Sequence, residues 1–152
     1  MKTLEEWLEA YAVSHQNKTN KLIHYFCVPA IYFSIVGLLM SIPLGILSKV
    51  NVAEPVLVNW AVVVLIPVFI FYARLSLKVA ILILFFSAFC VFANYQLSIM
   101  ANLWIVSVVI FAIAWVFQFY GHHLEGKKPS FLKDIQFLLI GPAWILDALF
   151  KK

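Results

Sequence analysis

The chain has 152 residues, 64% of them hydrophobic and only 12% charged, with a formal net charge of +4 and a mean hydropathy of +0.99. Soluble domains run near half apolar and about a quarter charged, and so short a chain cannot hide this much apolar surface in a water-soluble core. An ordinary soluble domain is excluded, and so is a nucleic-acid binder, because the basic residues lie between apolar runs rather than along one exposed stripe.

What remains is an all-α fold, a multi-pass membrane helical bundle forming a single integral membrane domain over residues 1–152. It starts with an amphipathic helix over residues 3–16. Leu4, Trp7, Leu8, Tyr11 and Ala12 recur at helical spacing, while Glu5, Glu6 and Glu9 take the other side. Thr3 followed by Glu6 fits a capping box. Those glutamates stand where a signal peptide needs its apolar stretch, so no cleaved leader is expected. The polar run from Ser14 to Asn20 ends this helix, with Asn20 the expected cap of the next.

Four apolar runs follow, over residues 27–47, 55–73, 79–97 and 102–119, each near the roughly 20 residues that a helix needs to cross the hydrocarbon. Pro29, Pro43 and Pro67 are candidate kinks. Cys27 and Cys90 sit in or beside apolar segments without a metal-ligand spacing and read as small buried hydrophobes. An even number of spans puts Lys2, Lys18, Lys21, Arg74, Lys78, Lys127, Lys128, Lys133, Lys151 and Lys152 on one side, ten of the 11 Lys and Arg. That side is expected to be the cytoplasm and to hold both termini. Residues 131–150 are long enough to span but carry Lys133, Asp134, Gln136 and Asp147. They are expected to form short interfacial or re-entrant helices, started at Ser130 and broken at Gly141-Pro142.

The four histidines, His15, His24, His122 and His123, all fall at the cytoplasmic ends of the spans. A single histidine there reads as an interfacial ring. Four on one side and none on the other point to a metal site assembled from two distant segments, imidazole being a common ligand of zinc, iron, copper and nickel. His15 and His24 are nine apart and would point oppositely on one straight helix, so a break between them is required. Glu125, one turn after His122, can complete a two-histidine, one-carboxylate set or simply pair with Lys127 or Lys128. Asn17, Asn20 and Gln118 can orient imidazoles, cap helices or tie helices together. Asn94, Tyr95 and Gln96 lie at the opposite face, where a structural role is expected.

Two blocks carry a family resemblance: Tyr11, His15, Asn17, Asn20, Leu22, Ile23, His24 and Pro29, and then Gly121-His122-His123 with Glu125, Gly126, Lys127 and Pro129, followed by Gly141-Pro142. In these the chain resembles the membrane 2-hydroxy fatty acid dioxygenases of fatty acid α-oxidation and of phytosphingosine degradation in yeast. The resemblance implies Fe(II), O2 and a long-chain 2-hydroxy fatty acid that loses its carboxyl carbon as CO2, in the inner membrane of a bacterium or the endoplasmic reticulum of a eukaryote. It also implies His15, His24, His122 and His123 as residues needed for iron.

Lys18, Lys21, Asn17 and Asn20 are the candidate substrate-binding groups, and His123 and Glu125 the candidate catalytic ones. A substrate that uses two of six octahedral positions and O2 that uses one leave three for the protein. That count gives three permanent ligands, with His15, His24 and His122 the first choice and His123 the one to leave iron or to accept the proton of the hydroxyl; His122 and His123 differ by about 100° on a helix, so only one of them easily points at a shared centre. A two-metal hydroxylase or desaturase needs more histidines, and a haem protein places them deeper in its helices. A small non-enzymatic transporter or metal-binding interaction protein is the alternative, although transporters place their site near the midplane.

Overall fold

The computed structural model describes residues 3–13, 15–49, 55–124, 126 and 139–145, among which helix is the regular structure and no strand occurs. The α-helices are α1 (Leu4–Ala12), α2 (Lys18–Met40), α3 (Trp60–Leu75), α4 (Leu77–Met100) and α5 (Leu103–Leu124). Short 3-10 turns at Gly45–Lys49 and Pro55–Leu57 lie between α2 and α3. Three helices, α2, α4 and α5, are long and apolar enough to cross a membrane. Their apolar residues do not all turn inward: Phe85, Phe89, Phe92, Trp104, Ile113 and Val116 are each more than half exposed, except that a surface of this kind is at home in lipid rather than water. The 16 residues of α3 rise about 24 Å, less than the roughly 30 Å of a hydrocarbon core.

Helix starts follow polar caps rather than the first apolar residue, which corrects the expected boundaries. The Asn17 side chain accepts from the Thr19 N–H at 2.8 Å and the Asn20 N–H at 3.3 Å, so α2 begins at Lys18, nine residues before the expected span at Cys27. Asn17 is therefore the cap, and Asn20 lies inside the helix. Asn59 accepts from Val62 N–H at 3.0 Å and starts α3 at Trp60. Ser76 caps α4, and Asn102 accepts from the Ile105 N–H at 3.2 Å ahead of α5. Each satisfies a backbone donor that the first helical turn leaves open. At its other end α2 stops at Met40 rather than Leu47, and Pro43 lies beyond it while Pro29 and Pro67 lie inside α2 and α3.

The chain divides into two compact units, one of Met1–Ile31 with Ala112–Lys152 and the other of Tyr32–Phe111. In the second unit a core of Tyr32, Val36, Ala61, Cys90 and Val91 is tied by buried polar groups. Ser87 donates to the Ile83 carbonyl at 2.7 Å, so Tyr32 donates its hydroxyl proton to Ser87 at 2.6 Å. Asn94 donates to the Phe33 and Cys90 carbonyls at 3.1 and 2.9 Å, which joins α2 to α4. Both cysteines are free and buried. A cavity of about 370 Å³ lined by Val62, Leu65, Phe69, Leu84, Val91 and Phe92 lies between α3 and α4.

In the first unit, α1 opens with the expected capping box: Thr3 N–H donates to Glu6 Oε2 at 2.8 Å, and Glu6 N–H to Thr3 Oγ1 at 3.3 Å. It ends at Ala12 rather than 16. Residues 139–145 are helical straight through Gly141-Pro142, which corrects the expected break there. Packing overrides the local breaker signal, because Gly141 without a side chain lets this turn press on α2 and α1: a Cβ at Gly141 would stand 3.1 Å from Val28 Cγ1 and 3.3 Å from the Tyr11 hydroxyl. The expected start at Ser130 lies outside the described residues.

Candidate metal centre

Three imidazoles come together in the first unit. One ring nitrogen from each of His15, His24 and His122 lies within 4.8 Å of the others. The ring centroids are 4.2 Å apart for His15 and His24, 5.1 Å for His24 and His122, and 5.7 Å for His15 and His122. Each reaches this point by a different local route. His24 lies seven residues into α2 and His122 in the last turn of α5, so helical backbone fixes both. His15 lies in the non-helical stretch between α1 and α2, which supplies the required break.

The hydrogen bonds fix which nitrogen of two rings is available. His15 Nδ1 lies 2.7 Å from the Tyr11 carbonyl oxygen, and His24 Nδ1 lies 2.9 Å from the Asn20 carbonyl oxygen. A carbonyl only accepts, so in both rings Nδ1 carries the proton and Nε2 carries the lone pair. This is the arrangement by which backbone carbonyls commonly orient metal-binding histidines. His15 and His24 are each 2% exposed, and His122 is half-buried.

These donors fit a divalent transition metal. Nitrogen–metal bonds of about 2.0–2.1 Å put two ligands at right angles about 3 Å apart, so nitrogens within 4.8 Å close on an ion by small side-chain movements. Neutral imidazole suits iron, copper, zinc and nickel better than magnesium or calcium. Among the described residues no carboxylate or thiol joins this group.

A close contact between helices lies beside the His24–His122 pair. Asn20 is fully buried, and a Cβ added at Gly121 would fall 2.4 Å from Asn20 Oδ1. Only a glycine admits α5 this near to α2, one residue before His122.

The remaining sequence candidates fall in different places. His123 is exposed and stands outside the group of three, as expected for adjacent helical residues that differ by about 100° in direction. Asn17 is an exposed cap, Lys18 is exposed and Lys21 is half-buried. Glu125 lies outside the described residues. Sequence reasoning missed Trp144, whose ring lies 5.7 Å from His15, and the stacking of Tyr11 on His15 at 4.1 Å and 8°. The signal for Tyr11 was its position four residues before His15. Nothing in the pattern pointed to Trp144.

The fold and the cluster define an all-helical protein with membrane-spanning character and three histidines placed to hold a metal. Comparison with known proteins is more specific: the family model described as "2-hydroxy-palmitic acid dioxygenase Mpo1-like" matches residues 1–152, and the chain belongs to this Mpo1-like family. It is 29% identical over 153 aligned positions to the 2-hydroxy-palmitic acid dioxygenase MPO1 of Saccharomyces cerevisiae, which covers 97% of this chain and 80% of the yeast protein. No solved structure matches the chain.

Proposed function

We propose that this protein is a non-haem Fe(II) dioxygenase that shortens long-chain 2-hydroxy fatty acids by one carbon. A 2-hydroxy acid and O2 become the acid one carbon shorter, CO2 and water, which balances every atom. The observation that carries this reading is the group of three imidazoles, His15, His24 and His122, in a chain of this family. His15, His24 and His122 hold the iron. Bound Fe(II) supplies the one-electron chemistry that lets dioxygen react with a closed-shell acid.

The chain's own groups do the rest. Nδ1–H bonds to the Tyr11 and Asn20 carbonyls keep two imidazoles in the binding tautomer. His123, exposed beside His122, takes the proton of the 2-hydroxyl, with Glu125 as its acid–base companion. Lys18 and Lys21 attract the carboxylate, and Asn17 and Asn20 lie on the same turn. The acyl chain lies along apolar helix surfaces while the polar head meets the centre at the membrane interface. In the proposed topology α2 to α5 make four spans, both termini are cytoplasmic, and the membrane is the inner membrane in a bacterium or the endoplasmic reticulum in a eukaryote.

The test is turnover of 2-hydroxypalmitic acid by purified protein loaded anaerobically with Fe(II) and then given O2. The expected result is a fifteen-carbon acid and CO2 in equal amounts in the parent and none in His24→Ala or His122→Ala, with all three accumulating in the membrane. Loss of a ligand removes metal before it removes the fold, since apolar packing holds the helices. Turnover retained in both variants sinks the ligand assignment.

A further inference from the structure

The three histidines are not equally well anchored. His24 and His122 ride on helices of 23 and 22 residues, whereas His15 sits on a non-helical stretch. His15 is nonetheless held at 2% exposure. Two groups from its own segment restrain it: its Nδ1 bonds the Tyr11 carbonyl, and its ring stacks on Tyr11. Both come from a residue only four positions away on the same short segment.

Trp144 flanks both stacked rings from a stretch of chain more than a hundred residues away. Its ring lies 5.7 Å from His15 at 38°, 5.3 Å from Tyr11 at 46°, and stacks on Tyr25 of α2 at 5.6 Å and 14°. Tyr11, His15 and Trp144 thus form one aromatic cluster whose outer support is Tyr25. Gly141, one turn before Trp144, seats the carrier helix by its close approach to Val28 and Tyr11.

We propose that Trp144 is a positioning residue of the metal centre, bracing the stacked Tyr11 and His15 rings together from one side so that the loop-borne ligand keeps a helix-like precision. The inference rests on reading the cluster as a metal site and is independent of the reaction. It makes the turn at 139–145 a working part of the centre rather than a peripheral membrane anchor. A tryptophan that only filled space would affect stability but leave the ligand field alone.

The experiment titrates full-length protein in detergent with Co(II), a probe whose visible spectrum reports the ligands without any turnover. Parent, Trp144→Leu, Trp144→Phe and His15→Ala are compared, with thermal unfolding measured alongside. Trp144→Leu is expected to bind Co(II) about 10–100-fold more weakly, as for other residues that orient metal ligands, with a spectrum moved toward that of His15→Ala. Trp144→Phe keeps an aromatic face and is expected to recover most of the affinity and the parent spectrum. Parent affinity and spectrum in Trp144→Leu overturn the proposal, as does equal damage in the leucine and phenylalanine variants. If Trp144→Leu fails to accumulate, Tyr25→Leu removes the outer ring of the stack. A weakened, shifted Co(II) signal then supports the proposal and an unchanged one overturns it. A parent that binds no Co(II) defeats the metal reading itself, a failure distinct from that of Trp144 alone.

Discussion

Replacing Gly121 by alanine tests whether the α2–α5 approach sets the metal site. The added Cβ would lie 2.4 Å from Asn20 Oδ1, whereas ordinary contact begins at 3.4 Å, a shortfall of 1.0 Å (3.4 − 2.4). Asn20 is fully buried, which leaves its amide little room to turn aside, so the helices separate instead. His122 follows Gly121 directly, and a displacement near 1 Å is several times the roughly 0.2 Å tolerance of a metal–ligand distance. The expected loss is about 10–100-fold in metal affinity, or about 1.4–2.8 kcal/mol. The assay is a metal titration of Gly121→Ala, Asn20→Ala and the double variant, read as a cycle. Removing the Asn20 amide relieves the overlap, so Gly121→Ala costs much less in the Asn20→Ala background. Equal cost in both backgrounds, or parent affinity in Gly121→Ala, refutes the steric account.

His123→Ala is expected to keep a full metal load while turning over slowly with an altered pH profile, because His123 stands outside the group of three. Complete loss of metal would place it among the ligands. Tags at the two termini are expected to be reached from the same side of the membrane in intact vesicles, following the ten-to-one distribution of Lys and Arg. Protection of one tag and not the other means an odd number of spans.

Class and helix content were legible because composition leaves few alternatives and because 3.6-residue periodicity marks α1 directly. The histidines were legible as a group because only four occur and all lie at the same ends of the apolar runs. Helix boundaries were not, since hydropathy marks where side chains turn apolar whereas Asn17, Asn59, Ser76 and Asn102 mark where backbone donors need caps. That difference placed Asn20 at a helix start when it belongs inside one. Gly141-Pro142 read locally as a breaker, but its close packing on Val28 and Tyr11 is a tertiary fact with no sequence signature. Trp144 was invisible for the same reason: one more aromatic in a chain that is 16% aromatic announces nothing until the fold brings it to His15.

The character of the ligands also bears on how a carboxylate substrate would be held. Three neutral imidazoles would leave a divalent metal ion its full double charge, since no carboxylate joins the group among the described residues. At 4 Å and an effective dielectric near 20, a unit pair interacts by about 4 kcal/mol, and a doubly charged centre by about twice that. Lys18 is exposed and Lys21 only half-buried; for a charge in water the same distance is worth about 1 kcal/mol, further reduced by salt. On the proposed reading a bound metal would therefore outweigh both lysines in holding the acid, and their larger effect would be on approach from the interface. A carboxylate within the ligand set would remove part of this advantage, which favours a centre built from histidine alone for a substrate that arrives as an anion.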